Sequence, residues 1–178
     1  MLIAEEVLAH GPIFFQYVLP TIVGKQFTVT RFPVLQMVWT ADTPIEGIAE
    51  SDVELTMKHS MEMVALTDVA FPGFFRPESP LLGRYIGVRK AEQLVSMAGE
   101  RFRLPGFREI SGVCTRPGHT GLGYARHLIR RLVHDAGLVE RCFLHVAESN
   151  LRAVALYEEM GFKRFQSGTV IRVERSQQ

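Results

Sequence analysis

The sequence predicts a mixed α/β (α+β) domain, and three observations predict it. Apolar runs with period-two alternation crowd residues 83–115, where "GRYIGVRK", "EQLVSMAGERFRL" and "FREISGVCT" each read as a strand. Two helical stripes follow, over 122–136 and 149–161, stopped by Gly137 and Gly161. Between them "RCFLHVA" reads as a short buried strand. Strands that alternate with helices belong to the α/β or mixed class.

The bulk numbers narrow the function. A chain of 178 residues suits one domain with an appended segment, and 47% hydrophobic content supplies a sizeable core. Twenty basic against nineteen acidic residues leave a net charge of +1, so no broad field points to nucleic acid. Cys114 and Cys142 sit inside apolar runs and read as small buried hydrophobes. The six histidines form no zinc-like spacing with them, so no metal is expected. The opening "MLIAEEVLAHG" is acidic where a secretory signal is basic, and no apolar run nears the roughly 20 residues that span a bilayer. The expected compartment is the cytoplasm, with no membrane partner.

In chain order, "FFQYVLPTIVGKQFTVTRFPVLQMVWT" suggests two or three short strands cut by Pro20, Gly24 and Pro33. "ADTPIEGIAESD" is a polar connector. From Ser51, apolar residues at Val53, Met57, Met61, Val64 and Leu66 follow near-helical spacing, with Ser51 or Asp52 as cap. "FPGFFRPESP" is a turn-rich loop. The two strands after it are joined by a turn at Arg89–Glu92, and the third follows the turn at Pro105-Gly106. The first helical stripe carries Leu122, Ala125, Leu128, Ile129, Leu132, Val133 and Ala136. The second helix opens at Ser149 or Asn150. "KRFQSGTVIRVE" supplies one or two last strands.

"RPGHTGLGYARHLIRRLV" places glycine-rich backbone at the mouth of the first of these helices. Unpaired N–H groups and the positive end of the helix dipole make such a mouth a seat for an anion, usually phosphate. A Walker loop needs Lys-Ser or Lys-Thr after its last glycine, and Tyr124-Ala125 stand there. A dinucleotide fingerprint needs Gly or Ala where Arg126 stands. A tight turn with no ligand is the plain alternative.

"SGVCTRPGHTGLGYARHLI", followed by "NLRAVALYEEMGF", resembles the GNAT superfamily of N-acetyltransferases. The family's second motif is met at Asn150, Ala153, Tyr157, Gly161 and Phe162, and its first at Pro117, Gly121 and Gly123. The resemblance covers about residues 81–165. The "SMAGERFRLPGFREISGVCT" stretch also resembles a subgroup of poorly characterised predicted acetyltransferases. In the first motif Gly118 and Thr120 replace side chains that are basic or amide in the family, leaving Arg116, His119 or Arg126 as substitutes.

The resemblance implies a mostly antiparallel central sheet flanked by helices and splayed at the cofactor site. It implies a divergent segment at 1–45 and an acetyl-CoA-binding domain at 46–178. It implies acetyl-CoA as donor and a small-molecule or peptide amine as acceptor. Backbone of Val113, Cys114 and Thr115 is then expected to pair with the coenzyme's amide arm like an added strand. Gly118, His119, Thr120, Gly121, Leu122, Gly123, Tyr124 and Ala125 are expected to hold its diphosphate, with Asn150 and Ala153 beside the arm. Val113 N–H is the expected oxyanion donor. Tyr157 is the expected general acid, a phenol of pKa about 10 serving a thiol of about 8.5.

For the base, period-two alternation puts Glu109, Ser111 and Val113 on one strand face, which favours Glu109; Glu100 is the alternative. Either carboxylate reads equally as a solvated edge group. His145 reads as a buried strand histidine, and His119 as a loop residue. Phe71–Phe75 read as loop packing or as an acceptor wall. The first 45 residues leave two roles open, an acceptor pocket or a homodimer contact. A non-catalytic acyl-CoA-binding module and a nucleotide-binding module are the rival functions.

Overall fold

The computed structural model describes residues 12–18, 27–40 and 52–176. The polar connector at 41–51, with Ser51 as a cap, lies outside them, as does the acidic opening stretch. Among the described residues eight strands form one sheet: β1 (Ile13–Gln16), β2 (Phe27–Trp39), β3 (Val53–Leu55), β4 (Tyr85–Lys90), β5 (Gln93–Leu104), β6 (Phe107–Thr115), β7 (Arg141–Ala147) and β8 (Phe162–Arg175). Three α-helices of the described residues accompany them: α1 (Ser60–Ala70), α2 (Tyr124–Ala136) and α3 (Leu151–Glu159). The strand order is β1-β8-β2-β7-β6-β5-β4-β3. Among the described residues every strand pairing is antiparallel except β6 with β7.

The middle of the chain folds as its periodicity dictates. Ala91 and Glu92, both at positive φ, turn β4 into β5. A 13-residue helix is marginal alone in water, so α2 depends on its apolar stripe. Leu128, Ile129, Leu132 and Val133 are buried there, each contributing roughly 1.5–3 kcal/mol. Gly137 ends the helix at φ 63°.

Two expectations change. The helix expected from Ser51 begins only at Ser60, because Val53–Leu55 pair with Tyr85–Gly87 as an edge strand and Met57–His59 form a 3₁₀ turn. The spacing of Val53, Met57 and Met61 is therefore not a buried stripe; all three are exposed, while Leu66 of the expected set is buried beside Met63. Pro33, read as a break, stands inside β2. Its carbonyl accepts from Glu148 N on the β7 side, just past the last β2–β7 rung at Val34–Ala147. In a strand a residue's N and O point to the same side, so the missing N–H removes no bond to β8.

Neighbouring residues alternate between two cores, one on each sheet face: Tyr85/Ile86, Leu94/Val95 and Met97/Ala98. The larger core packs under α2 and α3; the smaller lies beneath α1, with Phe71 and Phe75 at its border.

β6 and β7 pair only from Phe107–Ile110 to Arg141–Leu144. Beyond Ile110 and Leu144 the strands part. At this point β6 also bulges: Gly99 opposes Ser111 but Met97 opposes Cys114, and Gly112 between them has φ 64°.

Candidate active site

The parted strands open beside the mouth of α2. Gly118, Gly121 and Gly123 all hold positive φ, and a Cβ on any of them would meet nothing within 4 Å. Gly123 is the N-cap in the left-handed conformation, with no side-chain cap and no acidic residue in the first turn of α2. Main-chain donors and the positive dipole end therefore face open space, which fits a phosphate group. Lys90 Nζ stands 5.6 Å from the centroid of the Tyr124 ring on the first helical residue, adding a cation that the sequence did not flag. Of the three substitute side chains, Arg126 is committed to Glu159 at 2.5 Å. Arg116 Nε and His119 Nδ1 are buried atoms with no hydrogen-bond partner among the described residues.

Val113, Cys114 and Thr115 run along the open edge. On the β5 side Ser96 Oγ holds them, donating to the Cys114 carbonyl at 2.9 Å and lying 2.9 Å from Thr115 Oγ1. Burial pushes the Cys114 and Cys142 thiols up to about 12, so both are inert hydrophobes at neutral pH.

The bulge breaks the expected alternation. Val113 packs with Ile110 in the larger core and Cys114 belongs to the smaller one. Glu109, next to Ile110, therefore faces away from Val113; one extra residue has re-phased the strand.

Tyr157 lies on α3 with its ring 5.9 Å from that of Phe162. It is 6% exposed, and burial, reinforced by Cys114, pushes its phenol up to about 12. The hydroxyl therefore stays protonated through the neutral range. Asn150 Oδ1 accepts from Ala153 N at 3.1 Å, the N-cap of α3.

The two candidate carboxylates differ. Glu100 is bonded to Arg108 Nη1 at 2.7 Å, at the end where β6 and β7 stay paired. Glu109 sits at the parting. Arg101 Nε and Nη2 donate to its Oε2 and Oε1 at 3.0 and 2.6 Å, and His145 Nδ1 lies 2.7 Å from Oε1. Burial pushes this carboxyl up, but the His145 and Arg101 hydrogen bonds outweigh it and hold it below the usual range. His145 Nε2 in turn meets Tyr17 Oη at 2.8 Å. That chain of contacts escaped the sequence reading, because Tyr17 lies 128 residues from His145. Phe74 packs on Phe14 and Phe32 at 5.2 and 5.1 Å, and Phe75 on Tyr85 at 5.5 Å, which is the loop packing the sequence allowed.

The parted parallel pair thus lies beside a glycine-mouthed helix. The family model for the acetyltransferase (GNAT) family matches residues 49–162. The chain belongs to the GNAT acetyltransferase family. N-alpha-acetyltransferase RimI of Mycobacterium tuberculosis is 32% identical over 135 residues, covering 70% of this chain and 83% of RimI. An uncharacterized protein of Mycobacterium leprae is 35% identical over 83 residues, covering 45% of this chain and 23% of that protein, so this chain spans under a quarter of that relative. A crystal structure described as a GNAT-family acetyltransferase, from Novosphingobium aromaticivorans, superposes with a TM-score of 0.80 at 32% identity, covering 93% of this chain and 75% of that one. GNAT acetyltransferases take the acetyl group from acetyl-CoA. As in the GNAT expectation, the sheet is mixed, mostly antiparallel and splayed beside the α2 mouth. No helix among the described residues is long and apolar enough to cross a membrane.

Proposed function

We propose that this protein is an N-acetyltransferase that acetylates an amine, and that the α2 mouth and the parted strands are its donor site. The observation that carries the reading is the uncapped N-terminus of α2, with open glycine backbone before it, set beside the gap between β6 and β7. When bound, acetyl-CoA supplies an activated acetyl thioester. Amides from Gly118 to Ala125 would hold its diphosphate, assisted by Arg116 and His119, whose buried Nε and Nδ1 have no hydrogen-bond partner among the described residues. The free edge of Val113, Cys114 and Thr115 pairs with its amide arm, and Val113 N–H supports the acetyl oxygen. Asn150 and Ala153 at the start of α3 border the arm.

Tyr157 keeps its proton in the buried site and offers it to the departing sulfur. Glu109 provides the negative charge on the proton-accepting side. The acceptor is an amine, and a peptide N-terminus is the first class to test, since the M. tuberculosis relative is an N-alpha-acetyltransferase.

Calorimetric titration with coenzyme A, paired with thiol release over peptides bearing free N-termini and small amines, tests the reading. Tyr157→Phe should lower kcat about a hundredfold or more and leave coenzyme affinity unchanged. Absence of coenzyme binding overturns the donor site. Wild-type turnover in the variant removes Tyr157 from the mechanism.

A further inference from the structure

Glu109 is badly placed to accept a proton itself. Its oxygens already take N–H bonds from Arg101 and His145, and it is 1% exposed. A carboxylate this well supplied with donors is a weak base. The histidine bonded to it is not so confined. His145 is the first residue of β7 past the last rung with β6, so it stands at the apex of the gap. Its side chain is 7% exposed, but Nε2 points to Tyr17, which is 41% exposed.

The hydrogen-bond directions fix the tautomer. An ionised Glu109 can only accept, so Nδ1 of His145 carries the proton. Neutral His145 then has its lone pair on Nε2. The Tyr17 hydroxyl, 2.8 Å away, donates into it. A donor group arriving from the surface side thus already reaches this nitrogen. The neighbours of this group can be named from each side. Glu109 comes from β6, Arg101 from β5 and Tyr17 from the residue after β1. Gln36 of β2 lies opposite His145 in register, Gln166 of β8 bonds Gln36 at 2.9 Å, and Phe143 presents its ring edge-on at 5.8 Å. The charged members, Arg101 and Glu109, are tied to each other.

We propose that His145 Nε2 takes the proton from the acceptor amine, with Glu109 as the residue that orients it and the Tyr17 hydroxyl marking where the amine sits. This rests on the acetyltransferase reading above. The acceptor ammonium breaks one N–H bond, keeps the electron pair on nitrogen, and the proton bonds to Nε2. Glu109 stabilises the resulting imidazolium, which returns the proton to water after turnover. Tyr17 must give way for the amine. Its ring is 41% exposed and rests on the bare backbone of Gly168, at the surface side from which the amine arrives.

Nitrogen-15 NMR of the ligand-free protein should find neutral His145 protonated on Nδ1. Glu109→Gln should weaken that preference, because the amide offers Nδ1–H no ionised acceptor. In kinetics with acetyl-CoA and an acceptor peptide, wild-type kcat/KM should rise with pH below the ionisation of the peptide amine. His145→Gln should lower kcat/KM about a hundredfold and move that rise up to the amine's own ionisation, about pH 8. Coenzyme affinity by calorimetry should be retained in this variant. His145→Asn serves as a second variant should the first fail to fold. A proton found on Nε2, or a His145 variant that keeps the wild-type pH limb, overturns the proposal. A wild-type protein that acetylates none of the amines defeats the parent reading instead, and this is seen before any variant is made.

Discussion

β6 and β7 share four rungs and then separate, and the two ends are built from different chemistry. At the paired end Arg108 lies buried between Glu100 and Glu140, with Arg103 completing the cluster from outside. Each charge there meets an opposite charge, and none of these contacts leads into the gap. At the parted end Glu109, His145 and Tyr17 form a line that runs from the buried strand to the surface. Parting the strands forgoes ladder hydrogen bonds worth about 1 kcal/mol each. Backbone groups left this way need partners, and an amide-bearing ligand arm can provide them. The same two strands thus spend their charges on register at one end and on chemistry at the other.

The sharpest way to break this contrast is Arg108→Met. It leaves Glu100, 5% exposed, without its cation, and should cost about 3–5 kcal/mol in denaturant unfolding. Coenzyme affinity of the folded fraction should be unaffected, and a drop in affinity would show that the two ends are not separable. Next in size is Gly112→Ala at the boundary. A Cβ there falls 3.0 Å from Tyr85 Cε1 on backbone at φ 64°, so about 1–2 kcal/mol of stability should be lost. Turnover should fall as well, because the bulge turns Val113 away from the Glu109 face. Equal stability in this variant would mean that the bulge relaxes freely.

The smallest effect tests whether α2 repeats the contrast, open at its first turn and clamped at its last. Asp135 lies 2.5 Å from Arg84 Nη1 and 3.0 Å from Arg131 Nε. Burial pushes its carboxyl up, but bonds from His134, Arg84 and Arg131 win and hold it at about 2. A folded value below the unfolded one, about 3.9, means stability present above pH 4 and lost as pH falls toward 2. The stability gap between wild type and Asp135→Asn should therefore close over that window, by under about 1 kcal/mol given the solvent around the cluster. A gap that persists at low pH would show that charge is not what Asp135 contributes.

Much of the fold around the candidate site was legible in the sequence wherever the signal was local. The glycine mouth and stripe of α2, the hairpin into β5 and the Asn150 cap depend on residues a few positions apart. Local patterns failed where partners lie far off in sequence. Val53–Leu55 is a strand because Tyr85–Gly87 offers it an edge, which no window around Val53 contains. Gly112 adds one residue to β6, and period-two reasoning across it placed Glu109 and Val113 on a common face. His145 looked like packing because its two partners, Glu109 on β6 and Tyr17 just past β1, come from distant parts of the sequence.

The position of β2 bears on how the molecule is made. It is flanked by β7 and β8, and residues 27–39 align with residues 162–175 along nearly their whole length. During synthesis β2 emerges well before β7 and β8, so neither flank exists until those strands have followed. Contacts this distant in sequence slow folding. An apolar strand with two bare edges, interrupted by Arg31 and Pro33, must meanwhile stay out of non-native pairings.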